Sequence, residues 1–456
     1  VGPYAIGDTD RTKLLLEDML PEVLEQGMGE AYDRERRLIP VLLENERGGV
    51  RVDLVRLQAD CQLYAKALDD AAKMIYKLLG REFNLDSGEE IADALDKKYP
   101  GLEWPLTETG LRSTSKESLD DVLSGRPPKL LALFQYHASV LTCWRNFMEP
   151  WRLVAEQTGG IIHTSWNSVA QPEGGGSRTG RLSSSPNFQN IPTLKSVKFQ
   201  RAIELWKAHL EKLGLLPLPQ VRSYIVADSA SQVLLDRDFS QQELRVLAHF
   251  EDGDLLEEYR RNPQMDLHAY AAEVINENTG LSLTRKATKN VAFSLLYGSG
   301  IGSLAEGLGV SVVEAKKTKA AYLGTFPGVN DIQRDLKFKA ANNQPLRTWG
   351  GRLYYVEPPK LIKGRMRSFE YKLLNYLIQG SSADITKEAW LRYHEAKRHG
   401  RLLLTVHDQI LVSCPKKAWK SEMKILREAM EGIELDAPLI SDGEYGYRWT
   451  ELEKCE

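Results

Sequence analysis

Apolar side chains recur every three or four positions across residues 11–47, with Leu set among Glu and Arg, and that spacing predicts helices. Gly48-Gly49 interrupts the pattern as a turn, and Asp53 stands where a carboxylate can cap the helix that follows. Leu57, Cys61, Tyr64, Leu68 and Ala71 then carry one apolar face through residues 54–80. Residues 80–114 are mixed, with short helices and a loop around Trp104-Pro105, and helix returns over 129–157. Between 158 and 192 the helical spacing is lost: Gly159-Gly160, Gly174-Gly175-Gly176, Gly180, Pro186 and Pro192 punctuate extended segments. Residues 198–213 read as an isolated amphipathic helix. Val233-Leu234-Leu235 predicts a buried strand, with a helix starting at Ser240. Residues 250–340 are mostly helical, 346–356 form a hairpin and 371–399 are helical again. Leu402 to Val406 and Ile410 to Val412 read as two further strands.

The chain has 456 residues, enough for two to four domains or one large divided fold. A 42% hydrophobic and 27% charged composition places it among ordered proteins. No apolar run approaches the roughly 18–20 residues of a membrane span, and the start lacks the basic and apolar stretches of a signal peptide, so no membrane partner is expected. Cys61, Cys143, Cys414 and Cys455 lie far apart with no C-x-x-C pair, which disfavours zinc and disulfides and fits a reducing cytoplasm. Lys and Arg number 60 against 63 Asp and Glu, a net charge of −3, so composition by itself argues weakly against a nucleic-acid partner.

Three polar clusters break the apolar pattern. Asp236-Arg237-Asp238-Phe239-Ser240-Gln241-Gln242-Glu243 closes the Val233-Leu234-Leu235 run. Alternation puts Asp236 and Asp238 on one face, and Ser240-x-x-Glu243 fits a capping box for the next helix. Val406-His407-Asp408-Gln409-Ile410 joins two apolar runs without the Asn-Gly or Asp-Gly that a tight hairpin prefers. Arg285, Lys289, Phe293 and Tyr297 recur every four residues, a stripe roughly 18 Å long at a rise of about 1.5 Å, cationic first and aromatic beyond. Each cluster taken singly also reads as a turn, a cap, or solvated cations beside core aromatics. Together they describe something narrower. Two carboxylates at separate strand ends can hold a pair of divalent ions that clamp the attacking and leaving oxygens of an in-line displacement. A face with a cationic end and a flat end suits a nucleoside triphosphate. That combination is nucleotidyl transfer.

These residues resemble the motifs of family A DNA polymerases, the bacterial and phage polymerase I type. Asp238-Phe239-Ser240-Gln241-Gln242-Glu243-Leu244-Arg245 is similar to motif A, Arg285-x3-Lys289-x3-Phe293-x3-Tyr297-Gly298 to motif B and Val406-His407-Asp408 to motif C. Thr179-Gly180-Arg181-Leu182 and the run from Ser183 to Pro192 resemble the segment that grips primer and template. Gln379-Gly380-Ser381-Ser382-Ala383-Asp384 is similar to a further template-contacting stretch. Five motifs in the family's order, covering nearly the whole chain from about residue 30, make the match specific.

The resemblance implies an α+β right-hand polymerase fold: a helical thumb over 41–157, a palm of antiparallel sheet split between 158–245 and 375–456, and helical fingers over 246–374. It implies template-directed addition of deoxynucleoside monophosphates to a primer 3′-OH with release of pyrophosphate. The enzyme would work as a monomer on primer-template DNA and deoxynucleoside triphosphates, in the cytoplasm of a bacterial cell or phage-infected host. Asp238 and Asp408 would hold two Mg²⁺ ions, with Mn²⁺ able to substitute and the Phe239 carbonyl as an extra ligand. Arg285, Lys289 and the His268 of Asp266-Leu267-His268 would bind the triphosphate, with Gln241 also at the nucleotide. Phe293 would face the sugar, Tyr297 would stack near the insertion site, and Glu243 would fill the space of a ribose 2′-OH. Arg181, Asn187, Asn190 and Gln379 would contact the duplex, and His407 the primer end. Asp236 matches no family ligand and reads as structural.

Some positions depart from the family. Gln409 stands where Glu is usual, and since an amide cannot hold a metal as a carboxylate does, we expect retained activity with altered metal preference. Residues 193–220 exceed the usual link, which makes the helix at 198–213 an insertion. Tyr4-x3-Asp8 resembles the last motif of a 3′–5′ proofreading domain. Residues 1–40 therefore read as the C-terminal remnant of such a domain, on the polymerase part of a longer protein, without proofreading of its own. Two other functions fit the same letters. Against a single-subunit RNA polymerase stands Glu243; against a catalytically dead nucleic-acid-binding scaffold stand Asp238, Asp408, Arg285 and Lys289. The net charge is no objection to either DNA or RNA, because only a local basic cleft is needed, and Lys and Arg are dense at 285–289, 316–319 and 360–372.

Overall fold

The computed structural model describes residues 2–107, 109–170, 176–194, 197–279, 281–296, 298–362 and 364–455; Tyr297 and the Gly174-Gly175 pair lie outside them. α1 (Gly2–Glu25) and α2 (Gly29–Gly48) take up the first apolar repeat. After strand β1 (Val50–Arg51), α3 (Leu54–Leu79) starts where expected, with the Asp53 carboxylate accepting from the Arg56 amide at 3.2 Å. α3 buries Leu57, Cys61, Tyr64 and Ala71 and stops at Gly80, whose φ of 78° closes the helix. α4 (Gly88–Lys98), α5 (Lys116–Val122), α6 (Pro128–Cys143) and α7 (Glu149–Gln157) complete a first helical layer, a π-turn at Trp144–Met148 joining the last two.

The extended stretch holds three short strands, β2 (Ile161–Ile162), β3 (Ser165–Asn167) and β4 (Ser183–Ser185); β1 pairs with β2 and β3 with β4. α8 (Val197–His209) is not the isolated helix expected. It packs on α6 and buries Phe199, Ala202 and Leu205, because an apolar stripe gains more against a neighbouring helix than in water.

β5 (Gln232–Phe239) outruns the Val-Leu-Leu segment and carries both Asp236 and Asp238. α9 (Gln242–Glu251), α10 (Asp254–Arg261), α11 (Leu267–Thr279), α12 (Arg285–Leu296), α13 (Ile301–Leu308), α14 (Val312–Thr325) and α15 (Pro327–Ala341) form a second helical region. The hairpin expected at 346–356 is β6 (Leu346–Arg347) paired with β7 (Leu353–Tyr354), followed by the pair β8 (Lys360–Ile362) and β9 (Arg365–Arg367). The chain returns through α16 (Leu373–Ala396), β10 (Arg401–Val406), β11 (Gln409–Pro415), α17 (Trp419–Glu431), β12 (Ser441–Gly446) and β13 (Glu453–Cys455).

One antiparallel sheet, in the order β10-β11-β5-β12-β13, organises the site. β5 lies at its centre, with Gln409 opposite Asp238 on one side and Asp442 opposite it on the other. α17 packs on β5 and β12, and α16, buried along most of its length, packs on α17. α2 also belongs to this body. The Glu35 carboxylate meets Lys387 at 2.6 Å and Arg352 at 2.5 Å, and Arg352 reaches on to Asp384 at 2.9 Å. The boundary expected at residue 40 therefore falls inside α2, a helix held to α16 by buried ion pairs that no local pattern announces.

Candidate active site

Asp408 shares the turn of the β10–β11 hairpin with His407, which adopts the left-handed conformation such a turn needs (φ 63°). The Asp408 carbonyl accepts from the Phe239 amide at 3.2 Å, which pins the hairpin tip to the end of β5. The Asp238 and Asp408 side chains then come within direct electrostatic reach of each other. Poor solvation, followed by the Asp408 charge, pushes the Asp238 carboxyl up; burial pushes Asp408 up as well, against the pull of Arg181. Two carboxylates this close cannot both ionise cheaply without a cation. The donor set fits Mg²⁺ or Mn²⁺, being all oxygen: two carboxylates, with the Phe239 carbonyl at the same strand end. Among the described residues no group of three or more His, Cys, Asp or Glu is arranged to hold a metal, so water and substrate would complete the coordination, as Mg²⁺ commonly allows.

Asp236 is only 5% exposed. Its Oδ2 accepts from Gln409 Nε2 at 2.6 Å and from Trp449 Nε1 at 2.8 Å, while Oδ1 has no partner. Burial raises its pKa to about 6 in spite of those bonds. The structural Asp236 and the departure at Gln409 thus meet in space: a glutamate in place of Gln409 would set a second carboxylate against a buried one.

Ser240 does not cap α9, contrary to the capping box expected. The helix begins at Gln242, the cap position is Gln241 in a left-handed conformation (φ 55°), and no side chain caps it. Tertiary hydrogen bonds impose this turn. Gln241 Nε2 donates to the Met265 carbonyl at 2.9 Å, and its Oε1 accepts from the Leu267 amide at 3.1 Å. The Gln241 side chain is thereby tied to the loop before α11. Glu243, freed from capping, pairs with Arg181.

α11 and α12 assemble the second half of the site. Thr288 Oγ1 donates to the His268 carbonyl at 2.6 Å, locking the helices together. Lys289 Nζ lies 5.4 Å from the centre of the Phe293 ring, and the His268 ring is 6.1 Å from it. Arg285 Nε meets Asp266 Oδ2 at 2.5 Å, and the other oxygen of Asp266 accepts from the first amides of α11. His268 is 4% exposed, and burial pushes its imidazole down to about 4, so it is neutral at pH 7. Arg285, Lys289 and Phe293 share one face as the four-residue step predicts; Tyr297 is outside the described residues.

The loop after β4 is held by Phe188, buried and stacked on Trp151 with ring centres 4.8 Å apart. Within it the Asn187 side chain accepts from the Gln189 and Asn190 amides at 2.9 and 3.0 Å, and Asn187 and Asn190 stay exposed. Arg181 sits near enough to Asp408 and His407 to act on both charges, whereas Gln379 lies half-buried on α16. Desolvation, then the charges of Arg181 and Arg222, push His407 down to about 4. Sequence reasoning missed Asp266, which orients Arg285, and Arg222, whose charge reaches both Asp236 and Asp238. Asp266 was signalled by its place before His268; nothing local signalled Arg222.

A model of DNA polymerase family A matches residues 55–451. The chain belongs to DNA polymerase family A. Its family A relatives include DNA polymerase I of Bacillus caldotenax, 30% identical over 440 residues that cover 92% of this chain and 46% of the relative. The thermostable DNA polymerase I of Thermus filiformis is 30% identical over 451 residues, covering 96% of this chain and 50% of that one. The chain spans about half the length of the curated relatives it matches. Among solved structures, the POL domain of Pol1 from M. smegmatis, in complex with DNA primer-template and dNTP, matches with a TM-score of 0.76. That match has 27% identity and covers 92% of this chain and 70% of that one. The architecture is the α+β right hand of family A, with helical thumb and fingers around an antiparallel-sheet palm.

Proposed function

We propose that the chain is a template-directed DNA polymerase that adds deoxynucleoside monophosphates to a primer 3′-OH and releases pyrophosphate. The Asp238–Asp408 pair, brought together where the hairpin tip is pinned to the end of β5, carries this reading, together with the cationic and aromatic face of α12. Asp238, Asp408 and the Phe239 carbonyl would hold two Mg²⁺ ions, for which Mn²⁺ can substitute. Bound there, the ions supply charge neutralisation at the attacking and leaving oxygens.

The chain's own side chains bind and orient. Arg285 and Lys289 take the triphosphate oxygens, Arg285 already oriented by Asp266, and neutral His268 offers a hydrogen bond without adding charge. Phe293, flanked by Lys289 and His268, packs against the deoxyribose, and Tyr297 stacks at the insertion site. Glu243, held by Arg181, fills the space of a 2′-OH, which favours DNA over RNA as the product. Arg181, Asn187, Asn190 and Gln379 contact the duplex, and His407, neutral at pH 7, meets the primer end. Gln241 positions the turn instead of touching substrate. We take α3 to α8 as the thumb and assign α2 to the palm, since it packs on α16. We take the enzyme to be a monomer of the cytoplasm; the relatives named above are bacterial DNA polymerases. No helix among the described residues is long and apolar enough to cross a membrane.

Primer extension tests this. Asp238→Asn and Asp408→Asn should each abolish extension with deoxynucleotides while leaving duplex affinity within about threefold. Undiminished extension by both variants sinks the assignment of the pair. Preference of the unaltered chain for ribonucleotides sinks the substrate.

A further inference from the structure

Residues 176–182, which lead into β4, belong to no helix or strand, so contacts from other elements must fix their path. Three of them are tied to three different places. Arg178 Nη1 meets Glu357 Oε1 at 3.1 Å, and Glu357, between β7 and β8, is itself held by Lys372 Nζ at 2.9 Å and by the Tyr376 hydroxyl. Arg181 pairs with Glu243 on α9. Between them Gly180, buried and at φ 75°, lies against the Arg352 guanidinium. A Cβ built on it would stand 2.9 Å from Cζ, 3.1 Å from Nη1 and 3.2 Å from Nε. An approach along the edge of the group would bring a nitrogen nearest. Here the carbon is nearest, so Gly180 rests on the flat face. The tip of an arginine ordinarily swings aside from such a contact. This one is pinned: Nη2 donates to Glu35 on α2 and, at 2.9 Å, to Asp384 Oδ1 on α16. Asp384 is fully buried and also accepts from Thr348 Oγ1 at 2.7 Å, and that hydroxyl accepts from the Arg352 amide at 3.1 Å. A planar group fastened by two carboxylates presents a face of fixed tilt. One residue beyond Gly180, the charge of Arg181 reaches Asp408 and His407.

We propose that Arg352 is a positioning residue for nucleotide addition: its face sets the place of the Gly180 backbone and so aims Arg181 at the hairpin tip that carries Asp408. The proposal rests on the polymerase function proposed above. What the reaction needs from Arg352 is its plane, whereas what the fold needs is its charge. Lysine separates the two, because an ammonium can still pair with Glu35 and Asp384 but offers no flat face to Gly180. The effect falls on the chemical step and not on nucleotide affinity, since Arg181 reaches the catalytic hairpin while the cationic face of α12 is built from other elements.

The test is a double-mutant cycle in single-nucleotide incorporation on saturating primer-template, with the unaltered chain, Arg352→Lys, Arg181→Ala and the two combined. Arg352→Lys should lower kcat about tenfold and change the KM for the nucleotide less than about twofold, because a misplaced group costs rate more than binding. In the Arg181→Ala background the same substitution should cost less than about twofold, because a residue that acts through another has nothing left to act on. Gly180→Ala, which presses on the contact from the other side, should repeat both results. Hydrogen exchange supplies a readout that does not depend on activity. In Arg352→Lys the amides of 177–181 should exchange faster while those of α16 around Asp384 stay protected, which shows that the fold is intact. Full kcat in Arg352→Lys, an equal loss with and without Arg181, or unchanged exchange at 177–181 each overturns the proposal. So does loss of protection along α16 in step with the loss of rate, since Arg352 would then serve the fold alone. If the unaltered chain incorporates no nucleotide, the polymerase function fails, and the exchange data still decide whether Arg352 holds the loop of Arg181.

Discussion

Replacing Gln409 by Glu restores the residue usual in the family, and we expect it to destabilise this protein. Gln409 Nε2 donates to Asp236 Oδ2 at 2.6 Å, and Asp236 is 5% exposed. The substitution removes a charge-assisted hydrogen bond worth about 1.5–3 kcal/mol. It also sets oxygen against oxygen. Two full charges about 3 Å apart repel by roughly 5 kcal/mol at an effective dielectric constant of about 20, which is a ceiling, since the introduced carboxylate can swing away. The adjoining cavity, bounded also by Arg222, Glu444 and Trp449, gives it room to do so. A net loss of about 2–4 kcal/mol follows, or a fall in Tm on the order of 5 °C for a chain this long. Calorimetry in EDTA, where no metal can compensate, reads it. Asp236→Ala/Gln409→Glu should recover most of the loss, because the repulsion needs both carboxylates. Gln409→Glu as stable as the unaltered chain, or a double variant no more stable than the single one, refutes the reasoning. The same variant should shift the balance between Mg²⁺ and Mn²⁺ in extension; identical profiles would remove the metal-preference expectation and leave the stability argument standing.

Three other outcomes follow from the geometry. Glu243→Ala should raise the kcat/KM for ribonucleotides relative to deoxynucleotides by about 10²-fold, read by single-nucleotide incorporation; an unchanged ratio removes the gate. Arg352→Met should cost about 3–5 kcal/mol in a thermal melt, because it leaves Glu35 and the fully buried Asp384 without their shared cation; a loss under about 1 kcal/mol contradicts the network. His268 has a folded-state pKa pushed from 6.5 to about 4 by burial, so the stability it contributes is present above pH 6.5 and is lost as pH falls toward 4. The unfolded chain takes up that proton first, and the contribution is at most about 3 kcal/mol. His268→Gln should therefore lose less stability between pH 7 and pH 4.5 than the unaltered chain, and parallel curves would exclude the effect.

The candidate pair was legible because apolar strand runs that end in carboxylates are hard to explain otherwise, and Asp238 and Asp408 both stand at such ends, which the sheet brings together. The face of α12 was legible because a four-residue step nearly closes one helical turn, and Arg285, Lys289 and Phe293 do line up. The capping box at Ser240 misled for the opposite reason. Its letters are local, but Met265 and Leu267, more than twenty residues on, capture Gln241 and turn the chain before the helix begins. The helix at 197–209 was legible as a helix and not as a partner of α6, since an apolar stripe does not say what will cover it.

What this sequence determined alone is whatever repeats or terminates within one element: helix spans, strand ends, the Asp53 cap, the chemistry of three polar clusters. What only the tertiary structure decided is whatever depends on register between distant strands and helices. Asp236 read as structural and Gln409 as a departure from the family, with nothing to connect them. The antiparallel pairing of β5 and β11 makes them one hydrogen bond across 173 positions of chain, and no local period encodes a contact of that range.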